Sequence, residues 1–285
     1  MVLSAIEHPA VVAAAERLSG KGLEVRRVGI CADGRVDLQA MAAALDHSVS
    51  LVSVMLANNE TGVLQPIAEL GRTLADHQAW LHADCAQAVG KVPVRVRDLG
   101  LDLASLAGHK LYAPKGVGIL ALRDGVELPN LMFGAGHEAG RRPGTENILE
   151  IAGLGEACRL AGEEGDAAWT HLAGMRDELQ GLLRDAVPDA VVHGDPGGRL
   201  PNTLSIGFPG VTAAAVMEAV PHVAVSAGAA CHGGGATISH VLAAMGVAPD
   251  IARGTLRFSV GRFTTGEEIR SAATAVTGAV SALRR

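Results

Sequence analysis

The sequence predicts an α/β protein: a large first unit built on a mostly parallel sheet, then a smaller α+β unit. Three observations carry that expectation. Strand-like and helix-like segments alternate through the first half with short connections, the pattern of a parallel sheet with crossover helices. Several of the strand-like segments are continuous apolar runs that stop abruptly at polar clusters, as strands covered on both faces do. After a long helical stretch, the second half changes to short strands and helices.

Residues 9–18 are alanine-rich and open on Pro9, which suits a first helical turn, and Gly20-Lys21-Gly22 ends them. Residues 23–30 alternate as a strand does, and Asp33-Gly34 marks a turn. Residues 37–45 make a short helix that Asp37 can cap. The apolar run 50–57 stops at Asn58-Asn59-Glu60-Thr61-Gly62, and a helix follows over 67–76. The next two apolar runs stop at Asp84-Cys85-Ala86-Gln87 and at Gly108-His109-Lys110. A further strand is expected over 117–122. Residues 130–147, rich in glycine and arginine, read as a functional loop. Residues 148–186 are largely helical, with a break near Gly162 and Gly165 that places the unit boundary, 1–163 against 164–285. Strand-like segments at 191–193, 203–208, 222–226 and 256–260, and helices over 213–219, 238–245 and 266–283, complete the smaller unit.

Composition narrows the function classes. Of the 285 residues 48% are apolar and 19% charged, so the chain buries a sizeable core and is not disordered. Aromatics are only 2% and the net charge is −6, which speaks against stacking platforms or a phosphate backbone as ligand: no nucleic acid is expected. No apolar run has the length of a membrane span, and the opening residues lack the basic start and apolar stretch of a signal peptide, so a cytoplasmic address is expected. Cys31, Cys85, Cys158 and Cys231 form no CxxC pair, which argues for free thiols rather than a zinc site, and at least three of them are expected to be small buried hydrophobes.

An α/β sheet collects its functional groups where strands end and crossover loops begin. Asp84, after an apolar strand, is costly to bury unless a cation pairs with it, and a protonated pyridinium nitrogen would be such a partner. A lysine buried near a carboxylate in that crevice is a candidate for imine chemistry, because burial favours the free amine. On the local sequence alone, a salt-bridged lysine at a loop start is the stronger account of Lys110. Asn59 is either a turn former or an amide donor to a ligand. His8 either caps a helix or lies on a planar ring and moves protons. Arg257, inside an apolar strand, needs an anion, and a carboxylate taken by its planar fork is a natural one. Cys231, followed by Gly233-Gly234-Gly235, sits in a loop of small residues where a thiol beside His232 is either a nucleophile or a structural cysteine. Gly108-His109-Lys110 does not fit the GxxxxGK[ST] phosphate loop, and His137-Glu138 lacks the second histidine of HExxH, so metal hydrolysis is set aside and no metal is expected.

Taken in order, Asn58-Asn59-Glu60-Thr61-Gly62, His82-Ala83-Asp84-Cys85-Ala86-Gln87, Gly108-His109-Lys110, Arg142-Pro143-Gly144-Thr145-Glu146-Asn147, the Cys231 loop and residues 256–265 resemble the NifS-like cysteine desulfurases and the related selenocysteine lyases. These are pyridoxal 5'-phosphate enzymes of the class V aminotransferase group, fold type I, and the resemblance runs over essentially the whole chain. It implies roles. Lys110 would hold the cofactor covalently, His8 would stack on its ring and help move protons, and Asp84 would pair with the ring nitrogen. Asn59 and Gln87 would address the ring side, Gln87 at the phenolic oxygen, and His109 the phosphate. Thr145 would reach the phosphate of a partner subunit, implying a homodimer. Arg257 with Asn59 would hold the carboxylate of L-cysteine, and Cys231 would take its sulfur as a persulfide, leaving alanine. An acceptor or scaffold protein for iron–sulfur or thio-cofactor assembly would receive it. Two departures stand out: Ala107 replaces a hydroxyl residue, and the family's opening segment, with its Gly-Thr-rich phosphate loop, is expected to be missing from the sheet. Selenocysteine lyase is the close alternative. A truncated, non-catalytic homologue is an alternative of another class, and a transaminase is a more distant one.

Overall fold

The structure, a computed structural model, describes residues 1–228 and 238–285. Its larger sheet has six strands: β1 (Val2–Ser4), β2 (Arg26–Val28), β3 (Leu51–Ser53), β4 (Trp80–Asp84), β5 (Leu103–Ala107) and β6 (Gly118–Leu122). They lie in the order β2-β1-β3-β4-β5-β6. The first five run parallel, and β6 returns antiparallel to β5. The smaller sheet is antiparallel, β7 (Val191–Val192), β8 (Thr203–Gly207) and β9 (Thr255–Ser259), in that order. The mixed α/β class with a mostly parallel sheet is the one the sequence predicts.

The first two helices form where the sequence supplies caps, whereas the third has no side-chain cap. α1 (Pro9–Ser19) has Pro9 in its first turn and is capped by His8, whose Nδ1 accepts from the Ala10 N–H at 3.2 Å. α2 (Leu38–Ala44) is capped by Asp37, which accepts from Gln39 at 2.9 Å and Ala40 at 3.0 Å. α3 (Ile67–Thr73) precedes β4. These helices cover a core in which Val52, Leu81, Ala83 and Cys85 have no exposed surface. Burying a side chain the size of Leu81 contributes about 1.5–3 kcal/mol.

α4 (Ile148–Ala186) belongs to two cores. Before a kink at Gly165 (φ 39°), its Leu154 and Ala157 pack with Leu111 and Ala113, next to Lys110. After the kink, Leu172, Leu179 and Leu183 pack with Leu204, Ile206, Phe208 and Leu256 of the smaller sheet. The predicted 163/164 division falls beside that kink. α5 (Ala213–Ala219) and α8 (Gly266–Leu283) pack on the smaller sheet, whereas α6 (His240–Ala244) and α7 (Pro249–Arg253) bury Val241, Leu242 and Ala252 with Ile6 and Met55 of the larger unit.

Some expectations change. β1 and α7 are too short to show a period, and β1 nevertheless lies inside the sheet, between β2 and β3. The run 50–57 is ladder-paired only over β3, then continues as an extended segment whose Ala57 bridges Leu64. Of residues 222–226, only Ser226 pairs, as a bridge to Arg257. Cys85 is buried and Cys158 half-buried, but Cys31 is exposed, because it opens the Cys31–Gly34 turn at the surface. Among the described residues, no helix is long and apolar enough to cross a membrane.

Candidate active site

Because β1, β3, β4 and β5 are parallel neighbours, their carboxyl ends share one edge of the sheet. β1 leads to His8, β3 to Asn58 and Asn59, β4 ends on Asp84 with Gln87 just beyond, and β5 leads into a 3-10 turn, Gly108–Leu111, that carries His109 and Lys110. The sequence-predicted groups of the first unit therefore converge. Asn58 shapes its own turn: its side-chain oxygen accepts from the Glu60 and Thr61 N–H groups at 2.9 and 3.0 Å. Gly62 closes that turn at φ 77°, where an added Cβ would stand 2.9 Å from Thr203 of β8, so the turn is docked against the second unit.

Arg257 arrives from that second unit. It is half-buried on β9, its Nη1 donates to the Asn59 carbonyl at 2.8 Å, and its Nε is buried with no partner among the described residues. Thr145 is not drawn into this group. It lies exposed on the 123–147 loop, its carbonyl accepting from Arg142 at 3.4 Å. Cys231 lies outside the described residues. Lys110 and His109 are exposed, unlike the buried lysine that is the sequence's candidate for imine chemistry, because the 3-10 turn lifts them off the end of β5.

The floor of the site is built around Asp84. The His82 imidazole lies between Ser53 Oγ and Ser105 Oγ, both at 2.8 Å, and so spans three adjacent strands. Burial pushes its pKa down, against the pull of Asp84, so this ring is a neutral spacer. Burial pushes the Cys85 thiol up to about 12, helped by Asp84, which leaves it inert. Asp84 itself is half-buried; one oxygen accepts from the Ala86 N–H at 2.9 Å, and among the described residues no cationic side chain pairs with it. A carboxylate in that setting fits a cationic ring N–H, and the free Arg257 Nε fits a carboxylate. The donor set thus suits a pyridoxal cofactor and an amino-acid substrate.

Two groups at this edge are absent from the sequence reading. Lys91 donates to the Gln87 carbonyl at 2.9 Å and lies 3.5 Å from the Lys110 carbonyl, bridging the two loops. Burial, and then the charge of Lys110, push its pKa down to about 8. Its four-residue spacing from Gln87 is the one signal that could have found it. The other is Glu7, fully buried before His8. A concavity of about 760 Å³ lies at the opposite ends of the strands, lined by Trp80, Asp102, Leu103 and Arg123, and shares no residue with this edge.

Residues 1–271 match the family described as Aminotransferase class-V. The chain belongs to that family. It is 42% identical over 271 residues to the cysteine desulfurase NifS of Azotobacter vinelandii, covering 94% of this chain and 67% of that one. It is 38% identical to a human cysteine desulfurase, covering 59% of it. The chain thus spans about three-fifths to two-thirds of the length of these relatives. A solved NifS-like protein superposes with a TM-score of 0.91 at 33% identity, over 98% of this chain and 74% of that one, and one from Rickettsia africae with 0.88 at 30% identity, over 98% and 75%. The class V aminotransferases and their cysteine desulfurase members depend on pyridoxal phosphate.

Proposed function

We propose that this chain is a pyridoxal-phosphate-dependent cysteine desulfurase, converting L-cysteine to L-alanine and taking the sulfur as a persulfide on Cys231. The carrying observation is the gathering of an amine, Lys110, and an acid without a cation, Asp84, at one sheet edge, with an arginine brought in from the second unit. The cofactor, when bound, supplies an electron sink that makes the α C–H of the amino acid acidic. Lys110 would hold it covalently. Asp84 would keep its ring nitrogen protonated, His8 would lie on the ring, Asn59 and Gln87 would flank it, and His109 would meet the phosphate. Arg257, already fixed on the Asn59 carbonyl, keeps Nε free for the substrate carboxylate.

A homodimer is part of this reading, with Thr145 serving the partner's phosphate. What supports it is the exposure of large apolar side chains on the stretch of chain that carries Thr145: Phe133 is 87%, Leu131 93% and Leu149 84% exposed, and apolar side chains exposed together mark interaction surfaces. The persulfide would pass to an acceptor or scaffold protein for iron–sulfur or thio-cofactor assembly.

The test is colour and product. The purified chain with pyridoxal phosphate should show a visible absorption band and release alanine from L-cysteine, and Lys110→Ala should lose both. A wild-type preparation that stays colourless on reconstitution overturns the proposal.

A further inference from the structure

Glu7 has no part in the roles above, yet its surroundings are unusual for a carboxylate. It has no exposed surface. Its Oε1 accepts from Ser4 Oγ at 2.5 Å and from the Met55 N–H at 2.9 Å, so one side chain ties β1 to the segment after β3. Its Oε2 is buried with no partner among the described residues. Among the described residues no cation pairs with it, and the charged group that acts on it is Asp84, of like sign. The backbone is held as firmly as the side chain. Asn58 Nδ2 donates to the Ile6 carbonyl at 3.3 Å, and the Nε2 of His240, from α6, lies 3.3 Å from the Glu7 carbonyl. The next residue is His8.

We propose that Glu7 is a positioning residue that keeps its carboxyl proton in the folded protein until neutral pH is reached: as a neutral acid it clamps β1 to the segment after β3 directly before His8, and it adds no second negative charge near Asp84. Ionised, it would be a fully buried charge with no cation paired to it among the described residues, which burial disfavours and the like charge of Asp84 disfavours further. Burial first, and Asp84 last, push its pKa up, against the Ser4 and Met55 hydrogen bonds that pull it down, and the balance is about 7. The groups facing it are therefore Ser4 from β1, Met55 after β3, Asp84 from β4 and, on its carbonyl, His240 from α6. The clamp gives His8 a fixed point of departure from the sheet. That positioning role rests on the reading of His8 and Asp84 as cofactor contacts; the proton on Glu7 does not.

The experiment uses the full chain without cofactor, with its glutamate carboxyl carbons labelled by carbon-13. One glutamate should titrate near neutrality, far above the ordinary glutamate range of about 4.3, and that resonance should vanish in Glu7→Gln. If every glutamate carboxyl titrates in the ordinary range, the proposal is overturned without any variant having to fold. A second measurement reads the positioning. Glu7→Gln keeps the shape and the neutrality, so its affinity for pyridoxal phosphate should stay within about twofold of wild type, whereas Glu7→Ala, which removes the clamp, should lose roughly tenfold. Equal losses in the two variants would mean that a negative charge matters at this position, and would overturn the proposal. A wild-type chain that takes up no cofactor refutes the desulfurase reading instead, and leaves the carbon-13 result standing.

Discussion

Each of the two units buries a titratable group whose pKa burial shifts strongly, and the two are opposites. Glu7 in the larger unit is an acid pushed up to about 7 by burial, with one oxygen left unpartnered. His193 in the smaller unit is a base pushed down to about 4 by burial, and its hydrogen bonding closes on itself. Its Nε2 lies 2.9 Å from Thr255 Oγ1, and that hydroxyl donates to the Ile251 carbonyl at 3.0 Å, so the imidazole must be the donor in the first contact. The smaller unit buries a polar group to join β9 and α7 to the β7 segment. In the larger unit Glu7 Oε2 and Glu60 Oε1 stay without a partner among the described residues, at the strand ends where a ligand is expected, and the smaller unit adds Arg257 Nε to that edge while leaving Arg199 Nε and Nη1 open. His193 thus serves the packing of the smaller sheet and Glu7 the edge that both units share.

The largest test of that division is Phe208→Ala. Phe208 has no exposed surface, and its loss should cost about 3–5 kcal/mol. Because α4 enters both the Leu111 cluster and the Phe208 cluster, the whole chain should unfold together at a lower denaturant midpoint. The two tryptophans report separately, Trp80 from β4 and Trp169 from α4, which donates to the Gly90 carbonyl at 3.2 Å. A lowered midpoint at Trp169 with an unchanged one at Trp80 would show that the units unfold independently.

The next effect is in pH. A histidine depressed in the folded state contributes stability that is present above its unfolded value and is lost as pH falls through the folded one. For His193 that window runs from 6.5 down to about 4, and the loss should reach roughly 3 kcal/mol. Glu7 works in the opposite sense over nearly the same range: its contribution is present below 4.5 and is lost as pH rises through about 7. The two slopes oppose each other and nearly cancel in the wild type, so His193→Gln should leave stability falling as pH rises from 4.5 to about 7. A variant destabilised equally at every pH would mean that His193 matters for packing rather than for its charge.

The site was legible in the sequence where an apolar run stops at polar residues, as at Asp84 and before His109 and Lys110, because burial on both faces leaves a strand nowhere else to put a polar group. The fold class was legible from the alternation of such runs with helices. Strand direction was not: β6 reverses against β5, and periodicity carries no direction. Nor was β1, three residues long and inside the sheet, whose end supplies both Glu7 and His8. The exposure of Lys110 follows from a 3-10 turn that local sequence does not announce, and the bridging role of Lys91 from the approach of two loops 19 residues apart.

The smallest effect sharpens the same contrast at two helix starts. α8 opens on a complete capping box: Thr265 Oγ1 accepts from the Glu268 N–H at 3.3 Å, and the Glu268 carboxylate accepts from the Thr265 N–H at 2.8 Å. Thr265→Ala should cost about 1 kcal/mol of stability and leave cofactor affinity unchanged. α1 opens on His8, whose ring makes a single 3.2 Å contact to Ala10 while remaining exposed. If that residue is kept for the ring it faces rather than for the helix it starts, His8→Ala should cost no more than about 0.5 kcal/mol in denaturation yet weaken pyridoxal phosphate binding clearly. Equal stability losses at the two caps, with cofactor uptake intact in both, would make His8 an ordinary cap and remove the contrast between the two units at this edge.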